Sequence, residues 1–289
     1  MDNFRGIVLM TFSMALFAIE DVFIKFLSIN HGPAQILLIV GFGGAFVFMG
    51  VAKAMNAPLY TPELWQKPVI IRTLSDLFGA VFFMLAIVSI PLTLLSSIIQ
   101  VMPLVVTFGA ALMFKESVGW RRWLAIFIGF IGVLIIIRPG FDGFEPASLF
   151  AVICVLFLST RDLATRRMQG SMNSLTVSIY GFGAMGSAGF ICLAFDPTLR
   201  ALTPSDAWFF LCAILTGTFA YYLIVLAMRV GDVSVVTPFR YMRLLFAVLL
   251  SMMFLGERPD AVTLFGALIV VLSGLYTLMR ERKLKTQAP

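Results

Sequence analysis

Apolar and polar positions divide the chain into ten long apolar runs, roughly 5–28, 34–53, 68–89, 91–114, 120–138, 147–166, 173–195, 205–228, 233–255 and 260–279. About 20 residues of helix cross the hydrocarbon of a bilayer, and lipid offers backbone groups no hydrogen-bond partner, so runs of this length are predicted to be transmembrane helices. Several connectors are very short and carry Gly or Pro, as in His31-Gly32-Pro33, Ser89-Ile90-Pro91, Arg138-Pro139-Gly140 and Glu257-Arg258-Pro259. The first run, Gly6 to Leu27, is longer than a signal-peptide core, and no small-residue cleavage pattern follows it, so it reads as a retained span.

Composition agrees with this pattern: 60% of 289 residues are hydrophobic, 12% are charged and the mean hydropathy is +1.00, against roughly half apolar and a quarter charged in soluble domains. The net charge of +6 does not point to nucleic acid, because the basic residues sit singly at run ends and form no stripe. They read as topology signals. With a cytoplasmic N-terminus, Arg5, Lys53, Lys67, Arg72, Lys115, Arg121, Arg122, Arg166, Arg167, Arg229, Arg280, Arg282, Lys283 and Lys285 fall inside. Only Lys25, Arg138, Arg200 and Arg258 fall outside. The positive-inside rule then places both termini in the cytoplasm. Cys154, Cys192 and Cys212 are odd in number and lie within apolar runs, which argues for small buried side chains and against a disulfide or metal set.

The chain also repeats itself. At an offset of 141, Asp21 meets Asp162, Lys25 meets Arg166, Leu85-Ala86 meets Leu226-Ala227 and Glu116 meets Glu257, while Gly41-Phe42-Gly43 meets Gly181-Phe182-Gly183 at 140. Each copy holds five helices, and an odd number means that the second copy enters the membrane upside down. The expected fold is an all-α membrane protein of ten transmembrane helices, built from inverted five-helix repeats at residues 1–140 and 141–289. Inverted repeats are the signature of alternating-access transporters, whose substrate site lies near the midplane where the copies meet.

These two repeats, with an acidic residue closing the fourth and ninth helices (Phe114-Lys115-Glu116 and Leu255-Gly256-Glu257) and Gly-containing helices after them, resemble the EamA-type exporters of the drug/metabolite transporter superfamily. The resemblance implies a ten-helix carrier of the bacterial inner membrane, often an exporter of amino acids or related metabolites, with the aromatic amino-acid exporters nearest. It equally covers members that import vitamins or nucleotide-like compounds, so the direction of transport stays open.

Three polar groups lie at membrane depth, where charge is costly and marks function. The first is the repeated acid–base pair one turn apart, Asp21 with Lys25 and Asp162 with Arg166, flanked by Glu20 and Arg161. It reads either as a pair of gating ion pairs or as ordinary i,i+4 anchors of helix ends. The second is Arg72 with Asp76, near the midplane of the third helix. Asp76 is placed to bind a substrate ammonium or carry a coupling proton, or to sit in a static pair with Arg72 or Arg240.

The third is Pro238, Arg240, Tyr241 and Arg243 in the ninth helix and its repeat mate at Ser96, Ser97, Gln100 and Pro103 in the fourth. Proline removes a backbone donor and loosens the turn before it. Pro103 and Pro238 are therefore candidate hinges, and a matched pair of broken helices is the expected marker of the binding site. The balance of acids and arginines suits a zwitterionic ligand, with Arg240 or Arg243 on its carboxylate and Asp76 on its ammonium; it equally suits charges that neutralise one another across helices. Tyr180, Tyr221 and Tyr222 are candidate cavity hydroxyls. Trp65, Trp120, Trp123 and Trp208 fall near run ends, as interfacial anchors do.

Other chemistries find little support. The glycines from Gly181 to Gly186 match a dinucleotide fingerprint in spacing but lie inside a membrane helix with no preceding strand, so close helix packing explains them. No G-x-x-x-x-G-K-[ST] loop occurs, and the lone histidine, His31, sits in a short connector. Neither a nucleotide, a metal nor another cofactor is expected. The partners expected are the bilayer and a small-molecule substrate, and a single chain suffices. A lipid-phosphate enzyme using Arg240, Arg243 and Asp76 or Asp162 is the competing reading; it would open sideways between helices, whereas a carrier opens centrally to one aqueous side.

Overall fold

The computed structural model describes residues 2–114, 119–141, 143–168, 172–231 and 233–287. It is helical, in the order α1 Asn3–Asn30, α2 Pro33–Ala54, α3 Lys67–Ser89, α4 Leu92–Ile99, α5 Met102–Met113, α6 Trp120–Ile137, α7 Ser148–Arg167, α8 Ser174–Phe195, α9 Pro204–Val230, α10 Val233–Val236, α11 Met242–Leu250 and α12 Ala261–Gln287. Among the described residues, nine helical segments are long and apolar enough to cross a membrane, and Trp123–Ile137 is a shorter apolar helix. These are the ten predicted spans. The fourth consists of α4 and α5, and the ninth of α10, a 3-10 segment Thr237–Tyr241, α11 and a π-turn Ser251–Leu255.

Both breaks fall where proline removes a donor. Pro103 enters the first turn of α5 after the chain steps out of register at Gln100-Val101, and Pro238 opens the 3-10 segment. The short connectors stop the other helices: Pro33 begins α2 directly after His31-Gly32, and Thr203 forms a capping box with Asp206 at the start of α9.

Helix pairing follows the repeat. The most extensive contacts join α1 to α9, α3 to α7, α2 to α8 and α6 to α12. Exchanging the two halves turns the first pair into the second and leaves the third and fourth unchanged, as a two-fold axis between inverted copies requires. Small residues permit the axial contact. A Cβ on Gly41 of α2 would lie 2.2 Å from the backbone nitrogen of Gly186 on α8, and one on Gly186 would meet the Phe42 ring at 2.8 Å.

The start of α1 and the end of α12 lie at one end of the bundle, here the terminal face; the α1–α2, α3–α4, α9-start and α12-start connections lie at the opposite, distal face. The tightest core is distal. Ile24 and Leu27 of α1, Leu37 and Val40 of α2, Met84 and Ile87 of α3, and Leu92 and Leu95 of α4 are all buried there. This apolar plug closes the bundle between α1, α2, α3 and α4 on the distal side.

Candidate functional site

A cavity of about 520 Å³ lies between α1, α3, α7, α8 and α9 and the 3-10 segment with the first turn of α11. Its closed end is walled by Ile24, Gly79, Ala80 and Phe83, under the distal plug, while its other end is framed by the exposed Thr165 and Arg229 with Ser174. It is therefore central and open on the terminal face, as expected of a carrier.

Charge in the cavity is organised in two sets. In the first, Asp76 of α3 lies 3.2 Å from Arg72 on its own helix and 3.4 Å from Arg161 of α7, and Arg161 also binds the adjacent Asp162 at 2.9 Å. Arg72 donates from Nε to Thr165 at 3.1 Å and from Nη2 to the Tyr221 hydroxyl at 3.4 Å, tying three helices together. In the second, Arg243 of α11 holds Asp21 of α1 through both carboxylate oxygens, at 2.8 Å and 2.9 Å from Nη2 and 3.2 Å from Nε. Its guanidinium lies over the Phe17 ring. Two-pronged pairs of this kind are directional as well as strong.

After these pairings Glu20 and Arg240 still line the cavity with no hydrogen bond or ion pair to a described residue. Asp162 is the carboxylate whose field acts most on Arg240, but it does not touch it. Aromatic surface completes the site: Tyr221 stands edge-on to Phe48 and Phe182, and Phe17 and Phe83 are among the lining residues.

Several expectations from the sequence are corrected here. Lys25 does not pair with Asp21. Its ammonium donates to the carbonyls of Ile87 at 2.6 Å and Ile90 at 2.8 Å, capping the distal end of α3, because that helix end presents carbonyls with no partner of their own. Asp162, the carboxylate expected to pair with Arg166, is held by Arg161, and Arg166 does not line the cavity.

Tyr222, the next residue of α9 after Tyr221, is 44% exposed and does not line the cavity. Tyr180 does not line the cavity. Pro238 and Tyr241 line a separate, almost wholly apolar cavity of about 570 Å³ between the ninth and tenth spans, and the Tyr241 ring is wedged against Gly274 of α12.

The first broken helix does not line the cavity either. Ser97 returns its hydroxyl to the Thr93 carbonyl, and Gln100 donates to the Tyr241 carbonyl at 3.1 Å, so these two polar groups are satisfied inside the bundle. Only the second break, through Arg240 and Arg243, reaches the cavity, together with Asp76 and Tyr221. Lys115 and Glu116, the acidic closure of the first repeat, lie outside the described residues.

The distal seal is polar at its rim. Gly256 adopts a left-handed backbone (φ 65°) that a side chain would strain, ending the π-turn so that Glu257 swings under α4. The Glu257 carboxylate accepts from the backbone N–H groups of Leu92 at 2.6 Å and Thr93 at 2.9 Å. Lys25 on the carbonyl end of α3 and Glu257 on the N–H end of α4 thus grip the same turn from opposite halves.

Sequence reasoning overlooked Thr165, which lies one turn beyond Arg161 and was within reach of the patterns used.

The sequence profile of the EamA-like transporter family matches residues 4–138 and again 146–279. The chain is 23% identical over 285 residues to the "S-adenosylmethionine uptake transporter" of Rickettsia prowazekii, covering 96% of this chain and 94% of that one. It is 26% identical over 290 residues to the "Riboflavin transporter" of Vibrio cholerae, again covering 96% and 94%. A solved crystal structure superposes with a TM-score of 0.67 over 96% of this chain and 98% of its own at 17% identity, which shows the shared fold alone.

Proposed function

The chain belongs to the EamA-like transporter family, and from that membership we propose that it carries zwitterionic metabolites bearing an aromatic group, of the adenosylated amino-acid kind, across the bacterial inner membrane. That it is a multi-pass membrane transporter of small molecules follows from the family itself. The observation that carries the finer reading is the cavity's charge pattern: most of its charges are paired with one another, Arg229 at the open end binds the Ser174 hydroxyl, and Glu20 and Arg240 deeper in face the same aromatic-walled space with no ion pair to a described residue. A ligand with separated positive and negative groups complements both, and its ring finds Phe17, Phe83 and Tyr221.

On this reading the terminal face is cytoplasmic and the cavity is the inward-open state. Residues 1–140 and 141–289 act as the two halves that rock past one another, with Lys25 and Glu257 closing the periplasmic side. A relative named for uptake favours import over the amino-acid export to which the sequence resemblance first pointed. Thermal stabilisation of the purified protein tests the substrate class. A ligand at 100 times its Kd stabilises by about 2.7 kcal/mol. S-adenosylmethionine is expected to raise the melting temperature, and stabilisation by riboflavin alone, or by uncharged compounds alone, would overturn the zwitterion assignment.

A further inference from the structure

One short segment forms a wall between two cavities. Arg240 and Arg243 face the charged cavity, while Pro238, Phe239, Tyr241 and Met242 line the apolar cavity of about 570 Å³ between the ninth and tenth spans. The Tyr241 ring belongs to this second cavity and the Tyr241 carbonyl accepts from Gln100. Whatever fills the apolar side therefore bears on the segment that presents both arginines.

The two halves cover this side unequally. In the fourth span 67% of the apolar stretch is buried, against 17% in the ninth, its repeat mate. α11 packs chiefly against α1 and α4 and α12 against α6, which leaves a groove between them. Its outer rim is open: Leu245, Leu264 and Leu268 are 49%, 43% and 54% exposed, on helices long and apolar enough to cross a membrane. An apolar space of this kind offers water no partners. At that depth the surrounding medium is hydrocarbon, and lipid chains are what can enter from it.

The end of α12 supplies the charge that a lipid headgroup would meet. Leu264, Leu268, Val271 and Leu275 form one stripe of the helix, and continuing it at 3.6 residues per turn brings Arg282 into register with Leu264. Arg280, Lys283 and Lys285 accompany it, against the single acid Glu281. Arg282 follows Leu275 by seven residues, roughly 10 Å of helix, so a phosphate there leaves an acyl chain within reach of the groove. A basic cluster directly outside a spanning helix attracts anionic headgroups.

We propose that the groove between the ninth and tenth spans binds one anionic phospholipid, with an acyl chain against Pro238 and Tyr241 and the phosphate at the basic end of α12. The chain supports, from behind, the segment that carries Arg240 and Arg243 into the transport cavity.

The full-length protein, stripped of lipid in detergent, is titrated with phosphatidylglycerol or with phosphatidylcholine of the same acyl chains, and bound lipid is counted by native mass spectrometry. Phosphatidylglycerol is expected to bind first, one per chain, about tenfold or more tighter. Arg282→Gln/Lys285→Gln is expected to bring the two lipids within about threefold of each other, each charge near the membrane surface being worth about fivefold. Val271→Phe, which fills the groove from α12, is expected to weaken phosphatidylglycerol binding by about tenfold. Hydrogen exchange at residues 237–243 is expected to slow severalfold with phosphatidylglycerol in wild type and to be unaffected by it in Val271→Phe; should that variant not fold, the charge variant, altered only at the helix end, decides. Equal binding of the two lipids by wild type, exchange unmoved by phosphatidylglycerol, or its full binding by a folded Val271→Phe overturns the proposal. So does a disulfide between two copies carrying Leu268→Cys in a background without Cys154, Cys192 and Cys212, since a second copy would then occupy the groove. None of these readouts requires transport, so their failure leaves the carrier reading standing.

Discussion

Gln100 donates its side-chain amide to the main-chain carbonyl of Tyr241 at 3.1 Å, and these two residues occupy the same position of the two repeats. A contact between repeat mates lies on the axis that exchanges the halves. The two broken helices therefore meet at their breaks, and the pair of irregular segments is a joint between the copies more than a binding surface on both sides.

Replacing the amide tests that joint. Gln100→Leu removes a donor from a buried carbonyl without opening much space, and a net loss of about 1 kcal/mol is expected for the missing hydrogen bond. Thermal unfolding of the purified protein in detergent should show it, and an unchanged melting temperature would mean that the contact contributes nothing.

The Asp21–Arg243 pair makes a larger demand. Breaking a buried pair by removing one partner costs about 3–5 kcal/mol, whereas replacing both by apolar groups of similar volume is often neutral; the lower end applies here because Arg243 reaches the cavity. Asp21→Leu alone is expected to unfold well below wild type and the double variant Asp21→Leu/Arg243→Met to recover most of the loss, in the same thermal assay. Equal losses in the single and double variants would show that the pair is not coupled.

Two glycines of the α2–α8 helix pair separate packing from composition. Gly41→Ala drives a methyl group into the backbone of α8, while Gly183, on α8 itself, has open space at its Cβ. Gly41→Ala is expected to lower the yield of folded protein severalfold in size-exclusion chromatography, and Gly183→Ala to stay within about 0.5 kcal/mol of wild type. Similar behaviour of the two would remove the close α2–α8 contact as the reason for these glycines.

Much of this architecture was legible in the sequence, and the part that was not has a physical reason. Span limits such as 68–89 against Lys67–Ser89 follow from apolar length and from Pro and Gly at the ends, all of which are local. The interruptions at Pro103 and Pro238 are also local. Partners are not local: Asp21 binds Arg243, far along the chain, and not Lys25 one turn away, because helix crossing decides which guanidinium reaches it. Lys25 had a better use at the unsatisfied end of α3. Facing direction was equally hidden for Tyr221 and Tyr222, adjacent residues of which one lines the cavity and the other points away.

The distal clamp predicts a shift in access. Removing the Glu257 carboxylate withdraws a cap worth about 1 kcal/mol, about fivefold in a two-state equilibrium. In a background with Cys154, Cys192 and Cys212 replaced, a cysteine introduced at Phe83, on the closed end of the cavity, is expected to react several times faster with an impermeant maleimide added from the distal side when Glu257→Ala is also present. Equal rates with and without Glu257→Ala would show that the clamp does not hold the distal side shut.

Counterflow tests the central claim most directly, because it requires a single cavity that faces each side in turn and binds the ligand by its charges. Liposomes containing the purified protein and preloaded with unlabelled S-adenosylmethionine should accumulate the labelled compound transiently above its external concentration, and Arg240→Met, which removes a cavity guanidinium with no hydrogen bond or ion pair to a described residue, should reduce that overshoot by about tenfold or more. No overshoot with wild type, or an overshoot of the same size with Arg240→Met, would contradict the account.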